Sequence, residues 1–153
     1  MKATDLLKKQ HKEVKALFKK VENTENARER RRLMNEIATA LEGHTTIEEE
    51  MFYPAVRGLE TQKAEEMVLE AYEEHHVVKL VLAELPEVDP EDERFEAKMT
   101  VLEELIEHHV EEEEDEMFKL ADKIDDDELE ALGERMAQEA EQAGASVRNK
   151  RAA

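Results

Sequence analysis

Apolar residues recur along this chain at the three- and four-residue spacing of amphipathic helices, in four long stretches. The first spans about Thr4 to Val21, with Leu7, Val14, Leu17, Phe18 and Val21 on one face and Thr4 or Asp5 placed to cap it. The second spans Asn26 to Tyr53 through Leu33, Ile37, Ala40, Leu41, Ile47 and Met51, and Pro54 and Gly58 disrupt its end. The third spans Thr61 to Leu85 through Val68, Tyr72, Val78 and Leu82, and Pro86 and Pro90 bracket the connection that follows. The fourth spans Glu91 to Ala121 through Phe95, Met99, Leu102, Ile106, Met117 and Leu120. A weaker fifth helix is expected from Asp126 to Ala143, stopping near Gly144 before a mobile tail. Short connections between long helices make neighbours antiparallel. The expected fold is therefore all-α: an up-down-up-down antiparallel four-helix bundle over residues 1–122, with a short C-terminal extra helix and tail over residues 123–153.

The two halves of the chain repeat one another. Aligning His11 with His75 places Val14 on Val78, Leu17 on Val81 and Phe18 on Leu82. Aligning HTTIEEEMFY (His44–Tyr53) with HVEEEEDEMF (His109–Phe118) places His44 on His109, Glu48 on Glu113 and Tyr53 on Phe118. The pattern is one helix pair used twice.

Composition supports helices and narrows the function. Of 153 residues, 41% are charged, and there are only four Gly, three Pro and no Trp. The length suits one domain with a single core. The formal charge of −19, from 22 basic and 41 acidic residues, repels phosphate backbones and argues against a nucleic-acid partner. The basic clusters ARERRRL and VRNKR read as a solvated helix face and a tail. The absence of cysteine excludes disulfides, thiolate ligands and a cysteine nucleophile. Apolar runs are too short to span a membrane, and MKATDLLKKQHKE lacks the apolar core of a signal peptide, so a cytoplasmic location is expected.

The histidines change the picture most. His11, His44, His75 and His109 each fall on the apolar stripe of a different helix, whereas His76 and His108 lie about 100° away. One histidine on an apolar face is ordinarily a satisfied core residue. Four, one per helix, need a shared partner for their ring nitrogens. Glu48 and Glu113 stand four residues after His44 and His109, on the same stripe. Two buried carboxylates without a cation are costly. A pair of divalent metal ions satisfies both groups, with carboxylates bridging and imidazoles completing each shell. This ligand set allows iron, manganese or zinc. His108 with Glu112 is an alternative H-x-x-x-E pair off the core line. Glu49, Glu50, Glu111, Glu112, Glu114, Asp115 and Glu116 read as a solvated acidic face, and Tyr53 and Tyr72 as core packing within reach of the site.

His11, HTTIEEEMFYP, EEHHVVKLVLAEL and HVEEEEDEMF together resemble the hemerythrin-like, or HHE cation-binding, domain over about residues 4 to 121. The resemblance implies a bundle holding two non-haem irons, oxo- or hydroxo-bridged, with His11, His44, Glu48, His75, His109 and Glu113 as ligands. The oxygen-carrying hemerythrins have an H-x-x-x-H pair on the third helix, but here the positions four residues either side of His75 are Ala71 and Lys79. Their last helix has histidine and aspartate five apart, where this chain has His109 and Glu113 four apart. A site poorer in histidine points away from reversible oxygen carriage. It points toward a centre that binds or reacts with dioxygen, peroxide or nitric oxide, including catalase- or peroxidase-like reduction.

An iron or oxygen sensor without turnover is the main alternative. A ferritin-like carboxylate oxidase requires two E-x-x-H motifs, and only Glu73–His76 supplies one. A metal-free helical interaction domain would explain the charge but not one core histidine per helix.

Overall fold

The computed structural model describes residues 1–152, with side chains through residue 143. Every regular element among them is helical. Helix α1 (Ala3–Glu22) is followed by α2 (Ala27–Ile47), a π-helical turn (Glu48–Phe52) and α3 (Tyr53–Arg57). Then come α4 (Gln62–Glu84), a 3-10 turn (Leu85–Glu87), α5 (Glu93–Glu112), a second π-helical turn (Glu113–Met117), α6 (Phe118–Ala121) and α7 (Asp126–Ala152). No described helix is long and apolar enough to cross a membrane.

Local chemistry accounts for most boundaries. The side chains of Asn26, Thr61 and Asp92 accept from the backbone N–H of Glu29, Ala64 and Arg94, which caps α2, α4 and α5. The first helix departs from expectation. It starts at Ala3 with no side-chain cap, and Thr4 and Asp5 lie within its first turn. Ala3 and Leu7 are fully buried and belong to the same apolar cluster as Leu129, Leu132 and Met136 of α7, so packing sets this end.

Three further expectations are corrected. The second and fourth helical rods are not continuous α-helices, because each contains a π turn that begins at a buried glutamate. The C-terminal helix is not short: it passes Gly144 and runs to Ala152. A glycine costs a helix interior only about 1 kcal/mol, which does not stop an otherwise favourable helix. The expected mobile tail falls on residues 144–153, whose side chains lie outside the described residues. Nor is ARERRRL wholly a solvated face. Arg31 donates to the carbonyls of Leu85, Pro86 and Val88, and Arg30 to those of Thr24 and Pro90, fastening the start of α2 to two loops.

The packing places two apolar clusters on either side of a polar layer. One cluster gathers Leu7, Ile47, Phe52, Val56, Val68, Met117 and Phe118 with α7 residues Leu129, Leu132 and Met136. The other gathers Val14, Phe18, Leu33, Ile37, Leu41, Val78, Phe95 and Leu102. Helix α7 lies on α1 and α2, and α4 pairs with α5.

At Gly133, α7 packs against the backbone of the chain's N-terminal residues. A Cβ there would stand 2.2 Å from the Met1 carbonyl oxygen and 2.8 Å from the Ala3 nitrogen, both backbone atoms with little room to yield. Gly133→Ala should therefore destabilise the protein by about 1–3 kcal/mol despite alanine's better helix propensity. Equilibrium urea unfolding measures this, and an unchanged or raised midpoint would show that the contact is not a constraint.

Candidate metal centre

All six residues singled out by periodicity meet between the two apolar clusters. His11 comes from α1, His44 from the last turn of α2, His75 from α4 and His109 from the last turn of α5. Glu48 and Glu113 open the two π turns and are 0% and 2% exposed. One ligand atom each from His11, His44, Glu48 and Glu113 lies within 4.8 Å of the others, and the same holds for Glu48, His75 and His109. His44 Nε2 is 2.8 Å and His75 Nε2 3.4 Å from Glu48 Oε1. His11 Nε2 is 3.3 Å from Glu113 Oε1, and His109 Nε2 is 3.2 Å from Glu113 Oε2. Each carboxylate thus spans both histidine pairs. His76 and His108 lie at the exposed surface, outside this group.

The outer ring nitrogens explain how the imidazoles are aimed. His11 Nδ1 donates to Glu114 Oε1 at 3.0 Å, His44 Nδ1 to Gln10 Oε1 at 2.6 Å, His75 Nδ1 to Glu49 Oε2 at 3.0 Å and His109 Nδ1 to Glu74 Oε1 at 2.9 Å. Because all four acceptors are oxygens, each Nδ1 carries the proton, and in a neutral ring Nε2 presents a lone pair inward. Inside, the Nε2 atoms of His11 and His44 are 3.2 Å apart, as are those of His75 and His109. Two lone pairs at that distance need a proton or a cation between them. Glu48 Oε1 and Glu113 Oε1 are buried and accept no hydrogen bond. Orphaned anionic oxygens beside converging nitrogens are the donor set of a cation site, and the residues fit a bound metal.

Helical periodicity alone does not reveal part of this shell. Glu49 and Glu114 are not merely a solvated face, because each is part-buried and holds a histidine. Gln10 and Glu74 do the same for His44 and His109. The repeat carried the signal: Gln10 and Glu74 precede His11 and His75, and Glu49 and Glu114 follow Glu48 and Glu113. Lys79, where oxygen carriers would have a second histidine, is half exposed and pairs with Glu49 at 2.7 Å.

Tyr53 is more than packing. Its hydroxyl lies 3.0 Å from Glu48 Oε2, 2.8 Å from Glu113 Oε2, 3.1 Å from His75 Nε2 and 3.2 Å from His109 Nε2. On an α-helix Tyr53 would sit about 140° around from Glu48. The π turn instead bonds the Tyr53 N–H to the Glu48 carbonyl and stacks the two residues. Its repeat partner Phe118 has no hydroxyl, and its ring lies parallel to that of His11. Tyr72 stays at the periphery and donates to the Glu49 carbonyl.

Charge is strongly coupled here. Burial pushes the Glu48 carboxyl up, but His44, Glu113 and His109 outweigh it and hold it well below the usual range. Burial would lower His11 and His109. Glu113 is the main influence raising both, with Glu48 adding to each, and His109 ends well above the ordinary imidazole value. Burial, then the charges of Glu48 and Glu113, push the Tyr53 phenol up, so it keeps its proton.

Residues 2–121 match the hemerythrin HHE cation-binding domain, and the chain belongs to that family. Uncharacterised proteins of Mycobacterium tuberculosis and Mycobacterium bovis are 33% identical to it over 145 residues, covering 93% of this chain and 87% of theirs. A crystal structure of an HHE cation-binding domain-containing protein from Mycobacterium kansasii superposes with a TM-score of 0.85 at 32% identity. That match covers 95% of this chain and 89% of that one. The class is therefore a hemerythrin-like HHE domain whose buried histidine–glutamate cluster is suited to metal.

In metal-free protein the raised His11 and His109 contribute stability in full below the unfolded value of 6.5 and lose it as pH rises through their folded values. The depressed Glu48 contributes above the unfolded 4.5 and loses its share as pH falls through its folded value. Chelator-treated protein should therefore melt highest between about pH 5 and 6.5 and decline toward alkaline pH. Metal binding displaces protons, so the added stability of metal-loaded protein should grow with pH. Thermal melts across pH, with and without metal, check both statements.

Proposed function

We propose that the chain is a non-haem diiron protein that reacts with dioxygen, peroxide or nitric oxide. In this reading His11, His44, His75 and His109, with Glu48 and Glu113, would hold the two irons. The carrying observation is the pair of buried, unbonded carboxylate oxygens facing two close Nε2–Nε2 pairs. The α1–α2 and α4–α5 pairings, joined through the buried histidine–glutamate cluster, support an up-down-up-down bundle, with α7 as an added helix on α1 and α2.

When bound, the metals would supply Lewis acidity and one-electron redox capacity. The chain's own contribution is preorganisation. Gln10, Glu49, Glu74 and Glu114 fix the imidazoles, and the two π turns aim the carboxylates. Beside the four imidazoles lies a cavity of about 20 Å³, walled by Val14, Leu41, Val78, Ile106 and Val110. That space suits a ligand of two or three atoms. Tyr53 holds a proton within reach of both carboxylates and of the His75–His109 pair, where it can donate to an oxygen ligand.

A sensor without turnover is favoured by a different observation: the four imidazoles come from four separate helices, so occupancy ties the whole core together. Peroxide turnover separates the two readings.

Purified or reconstituted protein should carry two irons per chain and absorb in the near-ultraviolet, with bands that shift on adding azide or peroxide. His44→Ala and Glu113→Ala should abolish both the iron content and the bands. Colourless protein that cannot be reconstituted would overturn the proposal. Tyr53→Phe should retain both irons yet slow peroxide turnover by about a hundredfold, the usual scale of a positioned proton donor.

A further inference from the structure

The two helix pairs repeat in sequence, but their outer grooves differ. In the first, Leu6 and Ile47 are buried in the same apolar cluster as Leu129, Leu132 and Met136 of α7. The matching positions of the second are Glu70 and Glu112, on the α4–α5 pair rather than on the α1–α2 pair against which α7 packs. Gln10 likewise becomes Glu74, Gly43 becomes His108 and Met51 becomes Glu116. A bare groove must be polar, and that alone would explain scattered solvated acids. It does not explain what they converge on.

His108 Nε2 lies 3.2 Å from Glu112 Oε1 and 3.6 Å from Glu74 Oε2, so three donors from α4 and α5 can share one ion. The other oxygen of Glu74 accepts from His109 Nδ1. Between α4 and α5 runs a cleft with Glu70, Glu112 and Glu116 at its acidic mouth. Its lining also includes His109 and Glu113, both buried, and Glu113 Oε1 has no hydrogen-bond partner. The outer cluster and the buried centre are therefore joined by one carboxylate and one cleft.

We propose that Glu74, His108 and Glu112 form a divalent-cation capture site at the mouth of this cleft, from which the buried centre is filled. The site takes a small hydrated cation such as ferrous iron. A carboxylate–imidazole–carboxylate set at an exposed surface holds it weakly enough to release it inward, and the acidic cleft draws it toward Glu113. The route rests on the buried cluster being a metal centre, but the capture site can be tested without it.

The variant His108→Ala/Glu112→Gln leaves the buried cluster intact. Anaerobic metal-free protein mixed with Co²⁺ and followed by its visible absorption should fill the centre about tenfold more slowly in the variant than in the wild type. Final metal content and the melting temperature of the loaded protein should be equal. Filling of the variant at the wild-type rate would overturn the proposal. On a His44→Ala background, which disables the centre, one weakly bound Co²⁺ should remain by equilibrium dialysis and disappear when His108→Ala/Glu112→Gln is added. No such ion on that background would overturn the capture site. A wild-type centre that never fills, with the outer ion still bound, would instead count against the diiron reading.

Discussion

Two carboxylates buried in a helical core are the constraint on which the rest of the structure depends. An uncompensated buried charge costs several kcal/mol even after relaxation. Glu48 and Glu113 are almost wholly removed from water, with two oxygens that accept nothing from the protein. Four imidazoles answer them, and each imidazole is answered in turn by Gln10, Glu49, Glu74 or Glu114 nearer the surface. The network thus runs outward from carboxylate to imidazole to carboxylate or amide. It fixes the rotation of α1, α2, α4 and α5 about their axes, because turning any one would strand a buried polar group. The apolar clusters on either side supply the driving force for burial but are less particular about register.

The π turns are the local counterpart of that constraint. Each begins at one of the buried glutamates and bonds its carbonyl to the residue five positions on. In the first, the wide turn just before Pro54 also suits a residue that has no N–H and crowds the preceding turn. The second contains no proline, so the shared cause lies elsewhere. What the two have in common is the result. A wide turn keeps Glu48 on the core side with His44 below it and brings Tyr53 onto that face as well, which an α-turn would have sent away.

This explains which parts were legible in the sequence. The α-helical period holds from His44 to Glu48 and from His109 to Glu113, so spacing alone brought those residues together with His11 and His75. The period fails one residue later, and Tyr53 was lost with it. The outer acceptors were hidden for another reason. In the runs EEE and EEEE the helical period marks only Glu48 and Glu113 as core, and Glu49 and Glu114, which hold histidines, look like the exposed Glu50 and Glu111 unless the two halves are read against each other. Gly144 read as a stop because a glycine often follows a helix. Its propensity cost is too small to end α7. Arg30 and Arg31 looked solvated because their acceptors are backbone carbonyls of loops distant in sequence, which no local pattern reveals.

The internal repeat supplies the symmetric part of the cluster, and its imperfections supply the electrostatics. His11, His44 and Glu48 correspond to His75, His109 and Glu113. Around that frame, Phe118 stands where the other half has the Tyr53 hydroxyl, and neutral Gln10 stands where the other half has anionic Glu74. The groove over α1 and α2 is sealed with leucine, isoleucine and methionine from three helices, while the groove over α4 and α5 is open and acidic. Each difference adds negative charge or a proton donor to the His75–His109 side and removes it from the His11–His44 side. Two cations held by nearly identical inner donors would therefore feel unequal fields. The inequality arises wholly from residues one layer out, where a single substitution changes charge without disturbing the buried carboxylates that hold the fold in register.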